Sequence, residues 1–156
     1  MNATRQVPRL LDDEHRTLLE LLGRLESAIV RRETEAWPAL ARALVPQLER
    51  ESARHFDFEE RELFPLLAEG GDGAIAALLT EEHESIRAVA AELLPLARAA
   101  ALGRLAAPEP FRRLGLEFTE RQVAHIQKET MALLPLLDDL LDDDTDRRLA
   151  FEHAGA

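Results

Sequence analysis

His55-Phe-Asp-Phe-Glu59-Glu-Arg-Glu-Leu63-Phe-Pro65-Leu66-Leu67 has a counterpart about 70 residues further on, His125-Ile-Gln-Lys-Glu129-Thr-Met-Ala-Leu133-Leu-Pro135-Leu136-Leu137. His, Glu, Leu, Pro, Leu and Leu coincide in the two stretches. In a helix, positions i and i+4 share a face about 6 Å apart along the axis. Each His-x-x-x-Glu therefore offers an imidazole and a carboxylate to one centre. Two further histidines precede them: Leu11, Glu14 and His15 align with Leu79, Glu82 and His83 at a shift of about 68. The pattern reads as two helical hairpins, each contributing half of one site.

The surrounding chain is built for helices. Leu, Ala, Glu and Arg dominate, β-branched residues are scarce and Tyr is absent. Apolar residues recur at helical spacing from Val7 to about Val30. The pattern fails across Arg31-Arg32-Glu33-Thr34-Glu35, where Thr34 is placed to cap a second helix running from about Ala36 to Ala68. Gly70-Gly71-Asp72-Gly73 is the clearest break. A third helix follows to about Leu102, with a possible second start at Thr80. Pro108 and Pro110 open a fourth that reaches about Leu141. Pro46, Pro65, Pro95 and Pro135 are expected to kink these helices or shorten them.

Short connections favour antiparallel neighbours, so the expected fold is all-α, an up-down-up-down four-helix bundle. One domain is expected over residues 1–156, with the bundle at about 8–141 and an acidic tail at 142–156. The acidic run Asp138 to Asp146 reads as a solvated, solubilising end, with a possible short helix around Asp146 to Glu152. His153 reads as a surface residue.

Antiparallel packing puts two residues at one height when they are equidistant from the turn between their helices. The midpoints between successive ligand groups fall at about residues 36, 70 and 105, on or beside the three breaks. His15, His55, Glu59, His83, His125 and Glu129 are thus expected in one layer. Leu11, Leu18 and Leu22 share the face of His15, so this layer lies in the core. Buried carboxylates are costly unless a cation pairs them. The simplest arrangement has Glu59 and Glu129 bridging two metal ions, one also held by His15 and His55, the other by His83 and His125. With an oxo or hydroxo bridge each ion has about five ligands and an open position. Mixed imidazole and carboxylate donors suit iron or manganese, with zinc possible. An apolar surround favours dioxygen, peroxide or nitric oxide as the small ligand.

Other residues are candidates for supporting roles. Glu51, Glu62, Arg121 and Gln122 could orient ligands, and Arg87 could pair with a bridging or terminal carboxylate. Glu14, Glu81 and Glu82 read as surface residues rather than ligands. Trp37 reads as a plug at one end of the core, and the phenylalanines as packing.

The composition excludes several classes. A net charge of −11 without a basic stripe argues against nucleic acid and against an anionic membrane surface. No Cys means no disulfide framework, zinc ribbon or iron–sulfur cluster. No stretch reads as a signal peptide or a membrane span, so a cytoplasmic protein is expected. Oligomeric state is open.

With these residues in place the chain resembles the hemerythrin-like, HHE cation-binding domains, from about Leu10 to Leu141. The resemblance rests on His15, His55-x-x-x-Glu59, His83 and His125-x-x-x-Glu129 together with the Leu-Phe-Pro-Leu-Leu and Leu-Leu-Pro-Leu-Leu endings. It implies a four-helix bundle around a non-haem di-iron centre bridged by two carboxylates. Two departures stand out. Oxygen-carrying members have a further histidine where Arg87 stands, and a fourth-helix Asp where Thr130 stands. The pattern is closer to members with two His-x-x-x-Glu motifs, associated with peroxide, nitric oxide or iron handling. The sequence leaves open whether the protein turns over a substrate, senses or stores iron, or acts as a metal-stabilised interaction module.

Overall fold

The computed structural model describes residues 5–155, and among them the only secondary structure is helical. Helix α1 spans Gln6–Val30. A second helical run is continuous over 37–69: α2 (Trp37–Pro46), a π-helical turn (Gln47–Glu51), α3 (Ser52–Phe58), a second π-helical turn (Glu59–Leu63) and α4 (Phe64–Glu69). Helix α5 covers Gly73–Ala101 without a break at Thr80, whose hydroxyl donates to Ala76 O instead of starting a new helix. The last long run, 108–140, comprises α6 (Pro108–Lys128), a π-helical turn (Glu129–Leu133) and α7 (Leu134–Leu140). Among the described residues no helix is long and apolar enough to cross a membrane.

The prolines do not cut the helices. An α-helix carried through Pro65 would drive its ring into the carbonyl four residues earlier and leave that carbonyl unbonded. The wider π turn just before Pro65, and its counterpart before Pro135, shifts the bonding register and lets the helix continue. Both turns begin on a glutamate of the duplicated motif. Pro95 lies inside α5 with no such turn.

All three connections close in the same way. Glu33 N–H reaches back to Ala28 O, Asp72 N–H to Leu67 O and Arg104 N–H to Ala99 O, each at 2.8 Å. This C-terminal closure needs a residue with positive φ. Gly71 and Gly103 supply it at two turns, and Arg32, at φ 55°, at the first. Thr34 does not cap: it starts a short 3₁₀ turn with no side-chain cap bond.

Helix packing follows the chain around a closed circuit: α1 packs on α2, α2 and α4 on α5, α5 on α6, and α6 and α7 back on α1. Between the 37–69 run and α5, contacts descend on one as they ascend on the other. Arg42 meets Ala101, Glu49 meets Arg98, Asp57 meets Arg87 and Glu60 meets His83. The apolar core falls into two parts. One is built around Leu22, Leu25, Leu44, Leu93, Phe111 and Phe118, with Trp37 at its end donating Nε1–H to Ala28 O. The other is built around Leu11, Leu63, Leu67, Leu79, Leu133 and Leu137.

At the acidic end Asp142, Asp143 and Asp144 are exposed as expected, and the short tail helix is present, but Asp146 and one face of that helix are buried. Asp143–Gly155 is a helix, α8, packed on α1, with Leu149 and Ala150 in the second core. Asp146 is buried, and its carboxylate accepts from Gln6 N–H and Val7 N–H, both at 2.9 Å. Helix α1 has no N-terminal side-chain cap of its own, so a carboxylate borrowed from α8 satisfies its exposed amides. Asp146→Ala should therefore cost about 2 kcal/mol, read as a lower urea midpoint at unchanged slope. An unchanged midpoint would show that water serves these amides equally well.

Candidate metal centre

The six side chains singled out by the sequence pattern meet between the two core parts. His15 comes from α1, His55 from α3, His83 from α5 and His125 from α6, and all are buried. Glu59 and Glu129 open the two π-helical turns and are 0 % exposed. Among the described residues two overlapping groups can each hold a cation: His15, His55, Glu59 and Glu129, and Glu59, His83, His125 and Glu129. Within each group the donor atoms lie within 4.8 Å of one another, and both carboxylates are common to the two groups.

All four histidines turn Nε2 inward. His15 Nε2 lies 2.9 Å from Glu129 Oε1, His55 Nε2 3.2 Å from Glu59 Oε2, and His83 Nε2 3.0 Å from Glu59 Oε1. His125 Nε2 is 3.5 Å from Glu129 Oε1 and 3.1 Å from His83 Nε2. Closeness here is not satisfaction. Both oxygens of Glu59, Oε2 of Glu129 and Nε2 of His55 are buried without a well-directed hydrogen bond. Orphaned acceptors of this kind are expensive in a dry interior. A convergent set of imidazole and carboxylate atoms lacking donors fits a bound cation, and that is the test the donor set passes.

Two of the outward nitrogens are held by carboxylates, and a third faces one. His83 Nδ1–H donates to Glu60 at 2.6 Å and His125 Nδ1–H to Glu82 at 2.8 Å. His55 Nδ1 faces Glu14 at 3.5 Å. A carboxylate on Nδ1 fixes the tautomer that leaves the Nε2 lone pair pointing inward. Glu14 and Glu82, read from sequence as surface residues, thus belong to this set, and Glu60 was missed altogether. Its signal was available: Glu60 directly follows Glu59 and lies opposite His83 across an antiparallel pair.

Other supporting residues fall differently. Arg87 does not reach a central carboxylate; it pairs with Glu60 at 2.9 Å and Asp57 at 3.2 Å. Arg121 pairs with Glu117, and Glu51 with Arg54. Among the described residues no hydrogen bond or ion pair joins Glu62 to the six. Gln122 is buried at the site, with Nε2 lacking a partner. His153 is buried rather than exposed: its Nε2 donates to Glu14 at 2.5 Å and its ring stacks on Phe58 at 4.3 Å. Its burial depends on α8 packing against α1, a contact between distant segments.

Protonation follows from burial and crowding. Burial, then the charge of Glu129, pushes the Glu59 carboxyl well above its ordinary range. Burial acts the same way on Glu129, but the closeness of Glu59 and of the imidazoles of His125, His15 and His55 overcomes it and holds that carboxyl well below. Burial lowers His55, yet Glu59, Glu129 and Glu14 raise it well above its usual value, and His125 is raised in the same manner by Glu129 and Glu82. His83, desolvated and beside the His125 charge, falls to about 4. In the metal-free protein these shifts favour the protonated forms of Glu59, His55 and His125, and a cation favours the deprotonated ones. Metal uptake should release protons near neutral pH, and affinity should weaken as pH falls. Titration calorimetry in buffers of different ionisation enthalpy measures this, and buffer-independent heats would contradict it.

The sequence model of the hemerythrin HHE cation-binding domain matches residues 7–137, which include all six side chains. No curated protein and no solved structure gives a significant match. The matched span, the helical bundle and the buried His/Glu cluster agree, and the chain belongs to the hemerythrin HHE cation-binding domain family.

Proposed function

We propose that this is a non-haem di-iron protein that binds or reacts with a small oxygen species: dioxygen, peroxide or nitric oxide. The observation that carries the reading is the pair of four-donor groups sharing two fully buried carboxylates. His15 and His55 would serve one ion, His83 and His125 the other, and Glu59 and Glu129 both. Two iron ions there would supply redox change and open coordination positions. The reversed contact order between the 37–69 run and α5 supports an up-down-up-down arrangement, which lets one layer draw a ligand from every helical run.

The chain's own residues prepare the site for a small guest. A cleft of ≈ 310 Å³ is lined by His15, His55, His125 and Glu129, with Leu10, Leu18, Phe56 and Ile126 as apolar wall. Gln122 Nε2 and Ser52 Oγ border it and lack partners, so both have donors to offer a guest oxygen. Glu60 and Glu82 keep protons on the outer faces of His83 and His125 and so hold their inner faces ready as ligands, with Glu14 facing His55 at longer range.

The test is an optical spectrum of the iron-loaded protein, anaerobic and then with peroxide or nitric oxide. New visible bands on addition, lost in Glu59→Ala, are expected. A loaded protein whose spectrum none of these molecules changes would leave iron storage or sensing. One observation favours that second reading: His153 on α8 reaches the cluster through Glu14 and His55, so the last helix is placed to report occupancy.

A further inference from the structure

The two halves of the cluster are alike in sequence but not in their surroundings. Around His83 and His125 the outer carboxylates are close and themselves anchored. Glu60 sits 2.6 Å from His83 Nδ1 and is held by Arg87 at 2.9 Å. Glu82 sits 2.8 Å from His125 Nδ1 and is held by Lys128. Phe56 stacks on the His83 ring at 3.8 Å, and Phe64 lies against it at 5.4 Å. These two imidazoles are 0 % and 1 % exposed.

Around His15 and His55 the same support is thin. Glu14 stands 3.5 Å from His55 Nδ1 and makes its short bond to His153 instead. His15 Nδ1 is buried with no partner at all. Both imidazoles line the cleft, whereas of the other pair only His125 does, and they are 4 % and 7 % exposed.

Resting on the two-ion reading above, we infer that the two positions are unequal: the one between His83 and His125 fills first and retains its ion, and the one between His15 and His55 fills second and exchanges. The physical cause is the outer carboxylates. A carboxylate on the far nitrogen raises imidazole basicity and fixes the ring, and its loss costs about 10–100-fold in metal affinity. One half has two such bonds; the other has one stretched contact and one nitrogen with none. Access to solvent adds to the difference, because an ion facing the cleft has a route out. A single exchangeable position lets the protein pass between one-ion and two-ion states at constant fold. A change in free metal then alters the state of the cleft.

Stepwise titration of the metal-stripped protein with manganese(II) alone tests this. Two steps separated by about tenfold or more are expected. Crystals grown with one equivalent of manganese should give an anomalous peak beside His83 and His125. Glu60→Gln should weaken the first step by about 10–100-fold and leave the second nearly unmoved, closing the gap. Glu82→Gln, on a different helix, should do the same and covers the case in which Glu60→Gln fails to fold. Two equal steps, a first peak beside His15 and His55, or equal weakening of both steps would overturn the inference while leaving two-ion binding intact. Absence of any bound manganese, zinc or iron would overturn the two-ion reading itself, and this inference with it.

Discussion

Replacing Glu59 with alanine is expected to empty both ion positions at once, taking metal content from about two ions per chain to near none. Glu59 is shared by both four-donor groups, so its loss leaves each with three donors, and Glu129 alone to join them. The same substitution should act oppositely on the metal-free protein. There Glu59 is fully buried, its oxygens lack hydrogen bonds, and burial beside Glu129 pushes it toward the neutral form. Deleting it removes an unfavourable group at the cost of a small cavity, so the metal-free variant should be as stable as the metal-free parent or more so. The crossover separates a ligand from a packing residue. Thermal melts of parent and variant, each with metal and with chelator, measure it. Equal destabilisation in both conditions would assign Glu59 a structural role.

Chelation of the parent protein should produce the second large effect. A ligand that binds only the folded state stabilises it by RT ln(1 + [L]/Kd), about 4 kcal/mol when free metal is a thousand times Kd. For a domain of this size that corresponds to roughly 8–16 °C in melting temperature. The loss should be greatest around the layer joining the two core parts, because without an ion four imidazoles and two carboxylates face one another there. Amide exchange should accelerate first in the π-helical turns Glu59–Leu63 and Glu129–Leu133. A melting temperature unmoved by chelator and by added metal would mean that the cluster is satisfied without a cation.

The central layer was legible in the sequence because two periodicities had to agree. The i, i+4 spacing of His55 with Glu59 and of His125 with Glu129 sets a face. The distances to His15 and His83 set a height, and both survive small errors in helix boundaries. What sequence could not show depends on contacts between distant segments. Asp146 looks like part of an acidic, solvated run and His153 like a surface residue until α8 packs on α1, where one caps that helix and the other holds Glu14. The prolines leave their mark locally: Pro65 and Pro135 forbid an α-helical bond, and a wider turn one step earlier keeps the helix whole. The first turn showed only as a lapse in the apolar pattern, because an arginine, Arg32, takes the positive-φ position that glycine takes at the other two. Glu60 was passed over because, unlike its neighbour Glu59, it has no counterpart in the second copy, where Thr130 stands.

The most direct measurement of the central claim is anomalous diffraction at the iron edge from crystals of the iron-loaded protein. Two peaks per chain are predicted, one beside His15 and His55 and one beside His83 and His125, each within bonding distance of both Glu59 and Glu129. No peak in this layer, or iron bound only elsewhere on the acidic surface, would contradict the account.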